Sequence, residues 1–167
     1  MSQLTPPRKL EKTDVRVGFE SGAAELDEWF AKYAWENQAA NNAITYVITD
    51  GTRVVAYYSI TMAAIEKVAA PPAMLKGSRP AQIPCILLAR LAVDKRFAGQ
   101  GLGWELLRDA LLRSVGLSES IGAAAVLVHC RDESARAFYL ANGDFLQSPV
   151  DELHLVAPMK ALRSYVG

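Results

Sequence analysis

Residues 87–103 read Leu87-Leu88-Ala89-Arg90-Leu91-Ala92-Val93-Asp94-Lys95-Arg96-Phe97-Ala98-Gly99-Gln100-Gly101-Leu102-Gly103. The apolar run begins at Cys85 and, Arg90 apart, continues to Val93, as expected of a central strand buried on both faces. Gly99, Gly101 and Gly103 then alternate, and Leu102, Leu106, Leu107, Ala110 and Leu111 follow at helical spacing. Gly116 or Gly122 is the expected stop for that helix. A glycine-rich turn between a strand and a helix lets backbone approach a ligand closely. The helix start adds N–H groups without intrahelical acceptors and a partial positive charge, so a phosphate or pyrophosphate is the natural guest. A dinucleotide fingerprint would need glycine at position 104, which is Trp104, and the Gly-Lys-Ser/Thr of a P-loop is absent. A tight turn with no ligand would use the same three glycines, so the loop alone leaves both readings open.

Working outward, Ala124–His129 is a second buried strand, reached by a helical crossover, so the two strands should be parallel neighbours. Asp132 can cap the next helix, which carries Ala135, Phe138 and Tyr139 and stops near Asn142-Gly143. Short strands fit Phe145–Gln147 and Leu153–Ala157, with a short tail after Pro158. Upstream, Ile44–Thr49 and Arg53–Thr61 are β-branched and aromatic with Asp50-Gly51 between them, a hairpin signal. Leu26, Trp29, Phe30 and Tyr33 mark a helix starting at Ser21 or Gly22. Thr13–Phe19 alternates weakly and is read as a first strand after a polar lead-in. The Pro-rich stretch 69–84 is read as a loop with a short helix at Ala73–Lys76, and as a place for substrate or partner contacts. The whole is α/β (α+β), a mixed central sheet flanked by helices in one domain spanning 1–167.

The 167 residues are 51% hydrophobic and 22% charged, with a formal net charge of zero. That favours a sizeable core and gives no support to a broadly basic nucleic-acid binder. Cys85 and Cys130 sit in apolar stretches without a Cys-x-x-Cys partner and read as reduced core thiols. No disulfide framework, apolar leader or membrane-length run is visible, so a cytoplasmic location is expected.

Leu-Ala-Val-Asp, four further residues, then Gly-x-Gly-x-Gly resembles the acetyl-CoA motif of the GNAT superfamily of N-acetyltransferases. The family pattern is Gln/Arg-x-x-Gly-x-Gly/Ala. In the register set by the strand, Ala98 occupies the Gln/Arg slot, followed by Gly101 and Gly103. Arg96 is positioned to compensate for the missing polar side chain. The resemblance implies a GNAT fold and acetyl-CoA as co-substrate, held by Leu91, Ala92, Val93, Arg96, Ala98, Gly99, Gln100, Gly101, Leu102 and Gly103. No metal is implied. The segment Phe138-Tyr139-Leu140-Ala141-Asn142-Gly143-Asp144-Phe145 resembles the family's Phe-Tyr-x-x-x-Gly-Phe, whose tyrosine is the usual general acid. Asp144 departs from that pattern.

Acyl transfer to an amine needs the thioester carbonyl polarised and the departing thiolate protonated. Backbone N–H groups splayed at a bulge near Leu91–Val93 could serve the first need. Tyr139 is the candidate for the second, with Arg136 one turn earlier to tune it or hold a phosphate; an ordinary core tyrosine is the alternative. Over nearly the whole chain the resemblance is closest to the GNAT toxins of bacterial type II toxin–antitoxin modules. It is carried by Phe19-x-x-Gly22-x-x-x-Leu26-Asp27-x-Trp29-Phe30, Val54–Ser59, Ile83–Asp94, Phe138-Tyr139, and Ser148-Pro149-x-Asp151-x-Leu153-x-Leu155. Such a likeness implies acetylation of the α-amino group of aminoacyl-tRNA, blocked translation, a small ribbon–helix–helix antitoxin and a homodimer.

An α-amino group has a pKa near 7.7–8.0, so a dedicated base is less necessary than for lysine. Glu66, Asp94 and Glu105 read as surface or capping residues, and His129 as either a base or a structural strand-end histidine. Lys76, Arg79, Arg90, Lys95, Arg96, Arg108 and Arg113 face only Asp94, Glu105 and Asp109 between positions 76 and 113. This excess could hold CoA phosphates or an RNA backbone, with Arg79, Arg90 and Lys95 as the candidates for tRNA and a solvated surface as the alternative. Trp29, Tyr33 and Trp35 could stack on a terminal base or belong to the core. Two other functions fit the same residues: acetylation of a protein or small-molecule amine, and a catalytically silent CoA-binding domain.

Overall fold

A computed structural model describes residues 3–166. Its strands and helices run β1 (Arg8–Lys9), α1 (Ala24–Ala39), β2 (Ile44–Asp50), β3 (Arg53–Glu66), β4 (Gln82–Val93), α2 (Leu102–Ser120), β5 (Ala125–His129), α3 (Glu133–Asn142), β6 (Leu146–Gln147), β7 (His154–Pro158) and α4 (Met159–Val166). The strands form a mixed seven-stranded sheet in the order β1-β2-β3-β4-β5-β7-β6. The expected β4–β5 neighbours are parallel, in register from Cys85↔Ala125 to Leu88↔Val128. The chain divides into two compact units, 1–61 with 89–109 and 62–88 with 110–167, and β3 and β4 each contribute residues to both.

In the first unit, the β2–β3 hairpin turns at Gly51, whose φ of 62° is the left-handed conformation the Asp-Gly pair anticipates. Its core is aromatic. Phe30 stacks on Tyr57 with ring centroids 4.2 Å apart, and Phe19 meets both rings edge-on at 5.1 and 5.4 Å. Leu10, Ala34, Val47, Val54 and Ala92 complete it. The Tyr57 hydroxyl donates to Leu26 O at 2.8 Å, fixing α1 against the sheet. The helix starts later than its periodicity suggests. Gly22 takes a φ of 98°, and Ser21 folds onto Asp27, its hydroxyl donating to Oδ1 at 2.6 Å. These two residues form the turn that precedes the helix.

The first strand also lies elsewhere than expected. Thr13–Phe19 makes only a single bridge, Val15 with Arg53, whereas Arg8–Lys9 pairs with Val47 and Tyr46. Asp14 decides this: its buried carboxylate binds the Arg8 guanidinium at 2.8 and 2.9 Å and accepts from Glu11 N, folding the chain into a turn. The polar lead-in is thereby pinned to the sheet edge.

The second unit packs Ile65, Ala70, Met74, Ile83, Cys85, Ala125, Leu127 and Val156. A short 3-10 turn, Lys67–Ala69, leads into the Pro-rich stretch, and a second, Pro72–Met74, lies within it slightly ahead of the expected helix. Ser148 ties this stretch down by donating its hydroxyl to Ala69 O at 2.7 Å. α2 runs through Gly116 and ends at Ser120, before Gly122. The tail after Pro158 is a helix: Met159 and Leu162 are buried one turn apart, and Met159 N donates to Ala124 O at 2.8 Å. Among the described residues no helix is long and apolar enough to cross a membrane.

Phe30 has no solvent exposure. Phe30→Ala should therefore lower the unfolding free energy by about 3–5 kcal/mol, the range for emptying such a site, with urea denaturation as the measurement.

Candidate active site

The ladder between β4 and β5 ends at Leu88↔Val128, while β4 continues to Val93. Backbone polar groups of Ala89–Val93 on that edge are thus beyond their last β5 partner. Ala92 points into the aromatic core, and Leu91 and Val93 are half-buried.

Asp94 closes the strand. Its side chain is 1% exposed and accepts from Arg96 N at 2.9 Å and Glu20 N at 3.1 Å. The Arg96 guanidinium adds a two-point ion pair, at 2.9 Å from Nε and 2.7 Å from Nη2, and also donates to Gly18 O. These donors hold the carboxyl down at about 2, with the Arg96 side chain as the largest influence. Asp94 is thus a cap, as expected, for the short 3-10 turn Lys95–Phe97. Arg96, expected to stand in for the polar side chain missing at position 98, is instead engaged in clamping this turn.

From there the chain runs exposed through Ala98, Gly99, Gln100 and Gly101 into buried Leu102 and half-buried Gly103. Gly99 and Gly101 have φ of 79° and 78°, the left-handed region that penalises a side chain. A Cβ built on either meets nothing within 4 Å. The space over the loop is open, and side chains there would fill it. Glu105 N donates to Gly101 O at 3.0 Å, so α2 begins at the loop's end. Open backbone at a helix start fits a pyrophosphate such as that of CoA.

The three basic candidates have different surroundings. Arg90 sits over the Trp29 indole, 3.9 Å from guanidinium carbon to ring centroid. Lys95 pairs with Glu20 at 3.0 Å, both exposed, and Arg79 donates to Met74 O at 2.8 Å. Trp29 and Trp35 pack against the aromatic core, whereas Tyr33 is exposed.

In the second unit, Asp132 caps α3 by accepting from Ala135 N at 2.8 Å. Tyr139 is buried one turn on, between Phe138 and Phe145, which meet its ring edge-on at 5.2 and 5.7 Å. Burial pushes its hydroxyl well above the ordinary phenol value, with a smaller push from Cys130, so it is a neutral donor at physiological pH. Cys85 and Cys130 are buried free thiols, both pushed up to about 11 by burial. Arg136 ties α3 to Gln147 at 2.6 Å and to Glu152 O at 3.0 Å, and pairs with Glu133 of its own helix at 2.8 Å. It acts as a staple. Asp144 leaves Gly143 packed tightly: a Cβ there would lie 2.7 Å from the Phe145 ring. Among the described residues no group of three His, Cys, Asp or Glu could hold a metal ion.

Asp94 makes acid stability a test of the clamp. Its folded pKa is depressed from 3.8 to about 2, so its stabilisation is present above pH 4 and is lost as pH falls towards 2. Asp94→Asn should cost on the order of 2 kcal/mol at pH 7. In urea titrations the gap from wild type should close between pH 4 and 2.

Residues 11–143 match the acetyltransferase (GNAT) family. A tRNA-acetylating toxin of Mycobacterium tuberculosis is 39% identical over 167 residues, covering 100% of this chain and 99% of that protein. A probable toxin TacT of Sinorhizobium fredii is 33% identical over 162 residues, 91% of this chain and 89% of its own. Among solved structures, AtaT complexed with acetyl-methionyl-tRNAfMet superposes with a TM-score of 0.90 at 23% identity, covering 99% of this chain and 100% of that one. An AtaT mutant toxin bound to the C-terminus of the antitoxin AtaR superposes with a TM-score of 0.84 at 21% identity, covering 98% and 97%. With the family match running from the first turn to the end of α3, this chain belongs to the GNAT acetyltransferases.

Proposed function

We propose that this protein is an N-acetyltransferase that moves the acetyl group of acetyl-CoA to the α-amino group of the amino acid on a charged tRNA, and so blocks translation. The observation that carries this reading is the 39% identity, over the full length of both chains, to a tRNA-acetylating toxin. The open backbone at Gly99 and Gly101 supports acetyl-CoA as donor. Acetylation of a protein or small-molecule amine, and a silent CoA-binding domain, are the alternative readings.

Acetyl-CoA supplies an acetyl thioester. The loop Ala98–Gly103 and the start of α2 bind its pyrophosphate through backbone N–H groups, and Leu91–Val93 orient the thioester carbonyl through theirs. With Ala98 in place of Gln or Arg, affinity rests on this backbone. Tyr139 protonates or hydrogen-bonds the departing thiolate; its surroundings keep the phenol protonated until sulfur develops charge. Arg90, seated over Trp29, and Lys95 and Arg79 offer N–H donors to RNA phosphates. Residues 1–167 act as a single catalytic domain, in the cytoplasm, as a homodimer. The partner that silences it is a small antitoxin of the ribbon–helix–helix kind.

Labelled acetyl-CoA incubated with charged tRNA and with a panel of free amines tests the acceptor: label should appear on the tRNA, and label on free amines alone overturns the reading. Tyr139→Phe should lose about 100-fold in turnover and leave CoA affinity unchanged by calorimetry. Gly101→Val, strained by its left-handed backbone and obstructing the cradle, should weaken CoA binding by about tenfold or more while circular dichroism reports a folded protein.

A further inference from the structure

We propose that Trp104 and Arg108, one turn apart on the exposed face of α2, recognise the nucleotide end of acetyl-CoA: the indole carries the adenine and the guanidinium pairs with the ribose 3′-phosphate. The inference rests on acetyl-CoA as the donor, assigned above, and concerns the part of that molecule the glycine loop does not hold. Leu102, Leu106, Leu107 and Ala110 turn inward from α2. Trp104 is 51% exposed, whereas Trp29 and Trp35 pack against the aromatic core. Among the described residues its ring meets no other aromatic ring. Arg108 is also exposed, and among the described residues it forms no ion pair, unlike Lys95, Arg96 and Arg136.

A single exposed apolar ring is ordinary; its address gives this one meaning. Glu105 N donates to Gly101 O, which makes Gly101 the cap and Leu102, Gly103 and Trp104 the first three helical residues. Their N–H groups have no acceptor within the helix and are the ones offered to the pyrophosphate. Trp104 thus belongs to the cradle by its backbone. The Cα–Cβ bonds of a helix tilt towards its N-terminus, and long side chains lean over the preceding turn. The indole is therefore directed back towards the open loop, where a Cβ at Gly99 or Gly101 meets nothing within 4 Å. Arg108 follows at i+4, on the same face, and leans the same way.

The two arms of CoA leave its pyrophosphate separately. The thioester arm is bound for Leu91–Val93 on β4, the strand before the loop. The adenosine arm is left with the surface after the loop, the exposed start of α2. Strand end, loop, Trp104 and Arg108 all belong to one compact unit. Adenine has a π-face that stacks on aromatic side chains, and a phosphate monoester pairs with a guanidinium. This chain has a particular use for both contacts. Ala98 brings no polar side chain to the loop, and the Arg96 guanidinium is tied to Asp94 at 2.7 Å. Contacts at the nucleotide end supply affinity that side chains of the loop do not.

Calorimetry with CoA and with dephospho-CoA, which lacks the 3′-phosphate, tests both contacts. Trp104→Leu, apolar but without a π-face, should weaken CoA binding by about fivefold or more, whereas Trp104→Phe should stay within about twofold of wild type. Wild type should prefer CoA to dephospho-CoA by about fivefold, and Arg108→Gln should bind the two alike. Indole fluorescence gives a second readout: CoA should quench wild type more than it quenches Trp104→Phe. Wild-type CoA affinity in Trp104→Leu, or equal quenching of wild type and Trp104→Phe, overturns the stack and leaves the donor standing. A preference for CoA that survives in Arg108→Gln overturns the phosphate contact. Unchanged CoA affinity with a raised KM for charged tRNA in both variants assigns this face to RNA and overturns the proposal. Wild type that binds no CoA overturns the donor and the proposal together.

Discussion

A single buried carboxylate governs the geometry of the cofactor side of this enzyme. Asp94 ends the central strand with its own N–H donating to Val55 O on β3, and its oxygens accept from Glu20 N and from the backbone and guanidinium of Arg96. Burying a charge is tolerable only when it is this fully bonded. Those bonds fix the direction in which the chain leaves β4. The glycines at 99 and 101 are then free to take left-handed conformations in open space, because the turn that aims them is already rigid. The aromatic core under α1 supports the same strand through Ala92.

Much of this was legible in the sequence because it is written in short-range signals. An uninterrupted apolar run, alternating glycines and helical periodicity place β4, the loop and α2, and the crossover rule makes β5 a parallel neighbour. Asp132 as a cap and Asp50-Gly51 as a turn are equally local. What escaped depends on contacts distant in the chain or on short elements. Arg8–Lys9 is a strand only because β2 lies beside it and Asp14 turns the chain back. α4 is eight residues long, too short for its apolar spacing to announce an amphipathic face. Gly116 looks like a stop but sits inside a helix that buries Ser114, Val115 and Ser118 around it.

The site follows the same division. The loop residues and Tyr139 stand out by motif. The fates of the arginines do not, since a basic residue in sequence says nothing about its partner. Arg96 is consumed by Asp94 and Arg136 by Gln147 and Glu152, while Arg90 meets an indole and not a carboxylate. His129 is ambiguous for a similar reason: its neighbour His154 is far along the chain and becomes adjacent only when β5 and β7 pair.

The Arg90–Trp29 contact also has an optical side. Trp29 has the Arg90 guanidinium over its ring at 3.9 Å, and its indole lies stacked near Tyr57, with ring centroids 6.1 Å apart. A cation resting on an indole perturbs its excited state, so this tryptophan carries a spectroscopic signature of where the arginine side chain sits. Of the chain's three tryptophans, Trp29 on α1 bears this signature, and it makes the protein its own fluorescent gauge of events at Arg90 on the central strand.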